Sequence, residues 1–145
     1  MPDDCQNARR GAVLVLVLGV LTTGTGIYFS FFRPPMLPED ILFTGIRSEL
    51  ATAELLAWLQ IVFRTWGAFT VGFGVLLTAA GAYLRTGRLA VLRFGIAAAI
   101  VLAFGRFLVS NVILRSDFLW FIALLFVLAV TTAARLLIDA RQPQR

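Results

Sequence analysis

Four apolar runs, each of a length that crosses a bilayer and each bounded by arginine, dominate this chain. The first covers 11–32, between Arg9-Arg10 and Arg33-Pro34-Pro35. The second covers 55–84 and stops at Arg85-Thr86-Gly87-Arg88; the third covers 89–114 and ends at Arg115-Ser116-Asp117. The fourth covers 118–134 and is closed by Arg135 and a polar tail. A helix needs roughly 20 apolar residues to span the hydrocarbon core. The fold predicted is therefore all-α: one integral membrane domain over 1–145, a four-helix transmembrane bundle. The first run has a basic leader, but it is too long and lacks an A-x-A-like site, so it reads as a retained span and not a signal peptide.

Composition agrees and narrows the chemistry. Hydrophobic residues make up 59% of the chain and charged ones 14%, against about 25% charged in an ordinary soluble domain. There is no histidine and no lysine, and all 13 basic residues are arginine. Imidazole-based triads and metal sites are excluded, as are Schiff bases and the P-loop lysine. The single Cys5 forms no internal disulfide. A non-enzymatic role without cofactor or metal is the expectation. The net charge of +5 does not point to nucleic acid, because the arginines flank apolar runs and form no basic face.

Such flanks set topology. With the N-terminus in the cytoplasm, Arg9, Arg10, Arg85, Arg88, Arg93, Arg135, Arg141 and Arg145 lie inside, against Arg33, Arg47 and Arg115 outside. Both termini are expected to be cytoplasmic, in a bacterial inner membrane. The short second and third linkers predict that spans two, three and four are sequential antiparallel neighbours. The first linker, 33–53, is longer. Pro38 suits the first turn of a short helix through PEDILFT, Gly45 its end, and Ser48 a cap for span two. This loop reads as an amphipathic outer cap, with Ile41, Leu42, Phe43 and Ile46 dipping toward the bundle.

Span two carries a stripe of small residues, Gly67, Gly74 and Gly81, on one helix face with Gln60 and Arg64. Span three has a comparable line, Gly95, Ala99, Ala103, Arg106 and Ser110. Small faces let helix backbones approach closely in lipid. The simpler reading packs span two on span three; a homodimer face is the alternative. Arg64 and Arg106 fall about 32 and 27 Å from the cytoplasmic edge, hence in nearly one layer. With no acidic residue inside the spans, the candidate partners are Glu39, Asp40, Glu49, Glu54, helix carbonyls or a bound anion. Two roles remain open: structural pins that snorkel to the interface, or a cationic pocket completed by Gln60, Ser110 and Asn111.

Other polar groups have plainer readings. Thr22, Thr23, Thr25 and Ser30 could line a path, but such side chains readily bond back to their own helix. Gly72-Phe73-Gly74 and Gly24-Thr25-Gly26 lie within spans and lack a nucleotide-loop setting. Cys5 is either a palmitoylation site or a free thiol.

The run Arg64-Thr65-Trp66-Gly67-Ala68-Phe69 with Gly72-Phe73-Gly74, followed by Ala103-Phe104-Gly105-Arg106 and Ser110, resembles small bacterial four-helix membrane proteins of uncharacterised function. In these, span two has an arginine followed by glycines, and span three a Gly-Arg pair with a serine soon after. This chain has Gly67-Ala68 where the pattern has paired glycines. The resemblance implies a four-helix bundle with functional weight on Arg64 and Arg106, and no particular activity. Two functions follow as expectations. One is a binding or accessory protein with an arginine-lined outer-leaflet pocket for an anionic lipid, a hydrophobic small molecule or a partner helix. The other is a small oligomeric transporter or channel.

Overall fold

The computed structural model describes residues 2–46, 50–85 and 90–141, with side chains for those between 10 and 140. Among them every regular element is helical. Helix α1 (Pro2–Ile27) runs into a π-helical turn (Tyr28–Phe32), followed by α2 (Pro38–Thr44), α3 (Ala53–Leu84), α4 (Ala90–Leu114) and α5 (Leu119–Arg141). Four stretches are long and apolar enough to cross a membrane: Arg10–Phe32, Ala53–Leu84, Ala90–Leu114 and Leu119–Ala140. That architecture fits a polytopic membrane protein. The fourth span runs past the expected end at 134, because Arg135 is a good helix former and no proline intervenes before Pro143. Arg47, Ser48, Glu49, residues 86–89 and those beyond Arg141 lie outside the described residues, as do the side chains of Cys5 and Arg9.

Local chemistry explains the ends. The widened turn closes with Arg33 N–H donating to the Tyr28 carbonyl at 3.0 Å, and Pro34-Pro35 cannot extend the helix. Pro38 opens α2, whose Asp40 carboxylate accepts from Leu37 N–H at 2.8 Å. Gly45 ends it in the left-handed region (φ 69°), a conformation that a glycine adopts without strain. Thr52 caps α3 by accepting from Leu55 N–H at 3.2 Å. At the end of α4, Arg115 takes a left-handed φ of 50°, and Ser116 N–H bonds back to the Asn111 carbonyl.

The helices pack in the spatial order α3, α1, α5, α4. This corrects the expected neighbour relation: α3 and α4 do not pack along their length, and the partner of the glycine face of α3 is α1. Gly19 and Gly26 of α1 share the seven-residue spacing of Gly67, Gly74 and Gly81. The two antiparallel faces mesh, with Gly26 opposite Gly67, Gly19 opposite Gly74, and Ala12 opposite Gly81. A Cβ on Gly26 would stand 2.6 Å from the Val71 nitrogen, a distance no real Cβ adopts. Gly95, expected in a packing face, has open space where its Cβ would be, and Ala99 and Ala103 are exposed. The core between α4 and α5 is built instead from Ile96, Ala97, Ile100 and Phe104 against Ile122, Leu125, Ala129 and Leu136.

At the end carrying both chain termini, Arg93 and Asp139 form a buried ion pair at 3.3 Å. Arg93 is thus no loop flank, and Asp139 lies inside the fourth span, so the expectation of acid-free spans fails. Gly11 makes room for the pair: a Cβ there would meet Asp139 Oδ2 at 2.8 Å.

Candidate functional site

At the opposite end α2 folds back over the helices with its polar side inward. Glu39 is buried (4% exposed), whereas Leu42 is 85% and Phe43 58% exposed. Ile46 is exposed as well. The expected cap is therefore largely inverted: its carboxylates meet the bundle, Ile41 is half-buried, and Leu42, Phe43 and Ile46 face away. Two polar anchors hold the carboxylates in place. Arg33 Nη2 donates to Asp40 Oδ2 at 2.6 Å, and the Arg33 guanidinium lies 3.4 Å from the Phe63 ring centroid. Ser116 Oγ, in the connection between α4 and α5, donates to Glu39 Oε1 at 3.0 Å. Both carboxylates are thus committed to the α2 end, and neither reaches Arg64 or Arg106.

Beneath α2 lies a cavity of about 960 Å³. Its walls are largely aromatic, with Tyr28, Phe29, Phe63, Trp66, Phe107, Phe118, Trp120 and Phe121, while Arg33, Glu39, Asp40 and Ser116 form its polar end. Val20 and Trp120 also line it and are 60% and 70% exposed, so the cavity reaches the outer surface of the helix array. A second cavity of about 330 Å³ lies between α3 and α4, where the absence of lengthwise packing leaves a crevice. Phe29, Trp66 and Phe107 line both. Their centroids are 5.0, 5.4 and 6.3 Å apart in edge-on contacts, so this aromatic cluster is the partition between the two spaces.

The residues expected to form one arginine pocket are not brought together. The Trp66–Phe107 contact does put Arg64 and Arg106 at nearly one height. Arg106 lines the smaller cavity, Arg64 and Gln60 line neither, and both arginines are exposed. Among the described residues neither guanidinium has a hydrogen bond or ion pair. Ser110 and Asn111 border the larger cavity but bond back to the carbonyls of Arg106 and Phe107, at 3.1 and 2.9 Å. Thr22, Thr23 and Thr25 likewise bond to Leu18, Gly19 and Leu21. Gly67, Gly74 and Gly81 belong to the α1–α3 seam and line no cavity.

Sequence reasoning missed the polar cluster of Arg33, Glu39 and Ser116 as a site. Asp40 lies seven residues after Arg33, across a Pro-Pro bend, and that spacing was a readable signal for their ion pair. The Glu39–Ser116 bond joins residues 77 apart and had none.

No protein-family model, curated protein or solved structure matches this chain.

Proposed function

We propose that this chain is a non-catalytic membrane protein that holds an amphipathic small molecule in the cavity at its α2 end. The observation that carries this reading is the cavity: about 960 Å³, the upper range of small-molecule sites, with aromatic walls and a compact polar end. Its opening beside Val20 and Trp120 suits entry from the lipid phase. The arginine bias supports cytoplasmic termini, with the α2 end at the opposite face of a bacterial inner membrane. Arg93 leaves the count as a buried residue, and the inside still leads. Membrane lipids are then its immediate partners, and Arg64 and Arg106, exposed at one height, contact anionic headgroups beside the cavity and outside it.

Native mass spectrometry of the detergent-purified protein tests this. A single adduct of a few hundred daltons is expected on the wild type. It should be lost in Gly24→Leu, because Gly24 lines the cavity and has no atom within 4 Å of its Cβ position. An adduct-free wild type, or an adduct that Gly24→Leu retains, removes the reading.

A further inference from the structure

The polar end of the cavity has an unbalanced charge. Arg33 and Asp40 neutralise each other, and Asp40 also accepts from Leu37 N–H. Arg33 is further engaged by the Pro34 carbonyl at 3.0 Å and by the Phe63 ring. Glu39 has no such partner among the described residues. Its Oε1 accepts one neutral hydroxyl bond from Ser116, and its buried Oε2 has no donor among the described residues. A buried carboxylate with a single neutral donor is costly, and natural structures almost always supply a cation or several donors.

We infer that Glu39 is the recognition point for the protonated amine of an amphipathic ligand whose apolar body lies along the aromatic walls. This rests on the cavity reading and names the chemistry of its occupant. A protonated primary or secondary amine brings both things Oε2 lacks, an N–H donor and a positive charge. Phe29 and Phe63, which line the same cavity, already hold the Arg33 guanidinium over their rings, and such aromatic walls suit a cation better than a bare anion. Arg33 Nε is a second buried atom without a partner, but it is a donor on an already neutralised guanidinium, so it adds no call for an anion. A neutral hydroxyl donating to Glu39 Oε2 is the competing occupant.

Three probes of one shape separate these cases: 4-phenylbutylamine, 4-phenylbutanol and 4-phenylbutyrate. Binding is read from the fluorescence of the wall residues Trp66 and Trp120, with the full chain in zwitterionic-lipid nanodiscs and empty discs subtracted. The amine should bind at least about tenfold tighter than the alcohol, and the carboxylate weakest. Glu39→Gln should bring the amine to the affinity of the alcohol and leave the alcohol unchanged. If Glu39→Gln does not fold, Glu39→Asp keeps the charge but withdraws it by one methylene. It should weaken the amine several-fold and spare the alcohol, and equal losses for both overturn the proposal. Equal binding of amine and alcohol by the wild type overturns the charge recognition while leaving the cavity reading intact. Tightest binding of the carboxylate overturns it in favour of the arginines. If none of the three binds, the proposal and the cavity reading fall together.

Discussion

Gly74 of α3 lies so close to Gly19 of α1 that a Cβ built on Gly74 would stand 2.8 Å from the Gly19 carbonyl oxygen. It would also stand 2.5 Å from the Thr23 nitrogen. Both obstacles are backbone, so no rotamer change relieves them. Gly74→Leu should therefore force the two helices apart and cost about 1–3 kcal/mol or more. Gly72→Leu and Gly95→Leu, where a Cβ has open space, should be nearly neutral. Thermal unfolding in detergent compares the three, and equal melting temperatures would mean that the α1–α3 seam is not close-packed.

The Arg93–Asp139 pair joins α4 to α5 at the end where α1 begins. Its side chains are 3% and 4% exposed, so removing one charge strands the other away from water. Asp139→Asn should cost about 3–5 kcal/mol, whereas the double change Arg93→Met with Asp139→Leu should recover much of that. A double variant no more stable than Asp139→Asn would show that the charges hold α4 on α5 by more than mutual compensation.

The four spans were legible because crossing lipid demands a long apolar run with internally satisfied backbone, and nothing else in the chain imitates one. Partner choice among them was only half legible. The stripe at Gly67, Gly74 and Gly81 was visible, but Gly95 and Ala99 offered an equally small face on the sequential neighbour. The seven-residue repeat of Gly19 and Gly26, the true mate, is obscured in the sequence by Gly24 between them and by the surrounding threonines. The polar site was less legible still. The rule that apolar side chains bury themselves in water points Leu42 and Phe43 toward the bundle. Next to lipid the outward direction is equally favourable for them, and the ion pair of Asp40 with Arg33 then decides which side of α2 faces in.

Arg64 and Arg106 are exposed and have no protein partner among the described residues. Arg64→Gln and Arg106→Gln should thus leave the melting temperature unchanged and reduce co-purified anionic lipid, measured by mass spectrometry of extracts. A drop in melting temperature with constant lipid content would make them structural pins instead.

Topology has its own check. Cys5 is the sole cysteine, and the arginine bias predicts a cytoplasmic position for it. An impermeant maleimide should label it in opened cells and spare it in intact ones; labelling of intact cells reverses the orientation and puts the α2 end inside.

Asp40 joins the folding of α2 to its docking. One oxygen, Oδ2, accepts both from Arg33 at 2.6 Å and from Leu37 N–H at 2.8 Å, so helix cap and ion pair are formed together. Asp40→Asn keeps a capping oxygen but removes the charge that neutralises Arg33, whose side chain is 4% exposed. Losing one member of a buried pair costs about 3–5 kcal/mol, far more than a seven-residue helix can retain on its own. The expected result is local: α2 detaches while the glycine seam and the α4–α5 core stay folded. Limited proteolysis should then cut within 36–46 in Asp40→Asn but not in the wild type. Leu42→Ser and Phe43→Ser, on the outward side of the same helix, should leave the detergent-solubilised protein resistant, because those side chains touch little of it. Cleavage in the serine variants, with Asp40→Asn resistant, would mean that α2 is held by its apolar side and that the inverted cap is wrong.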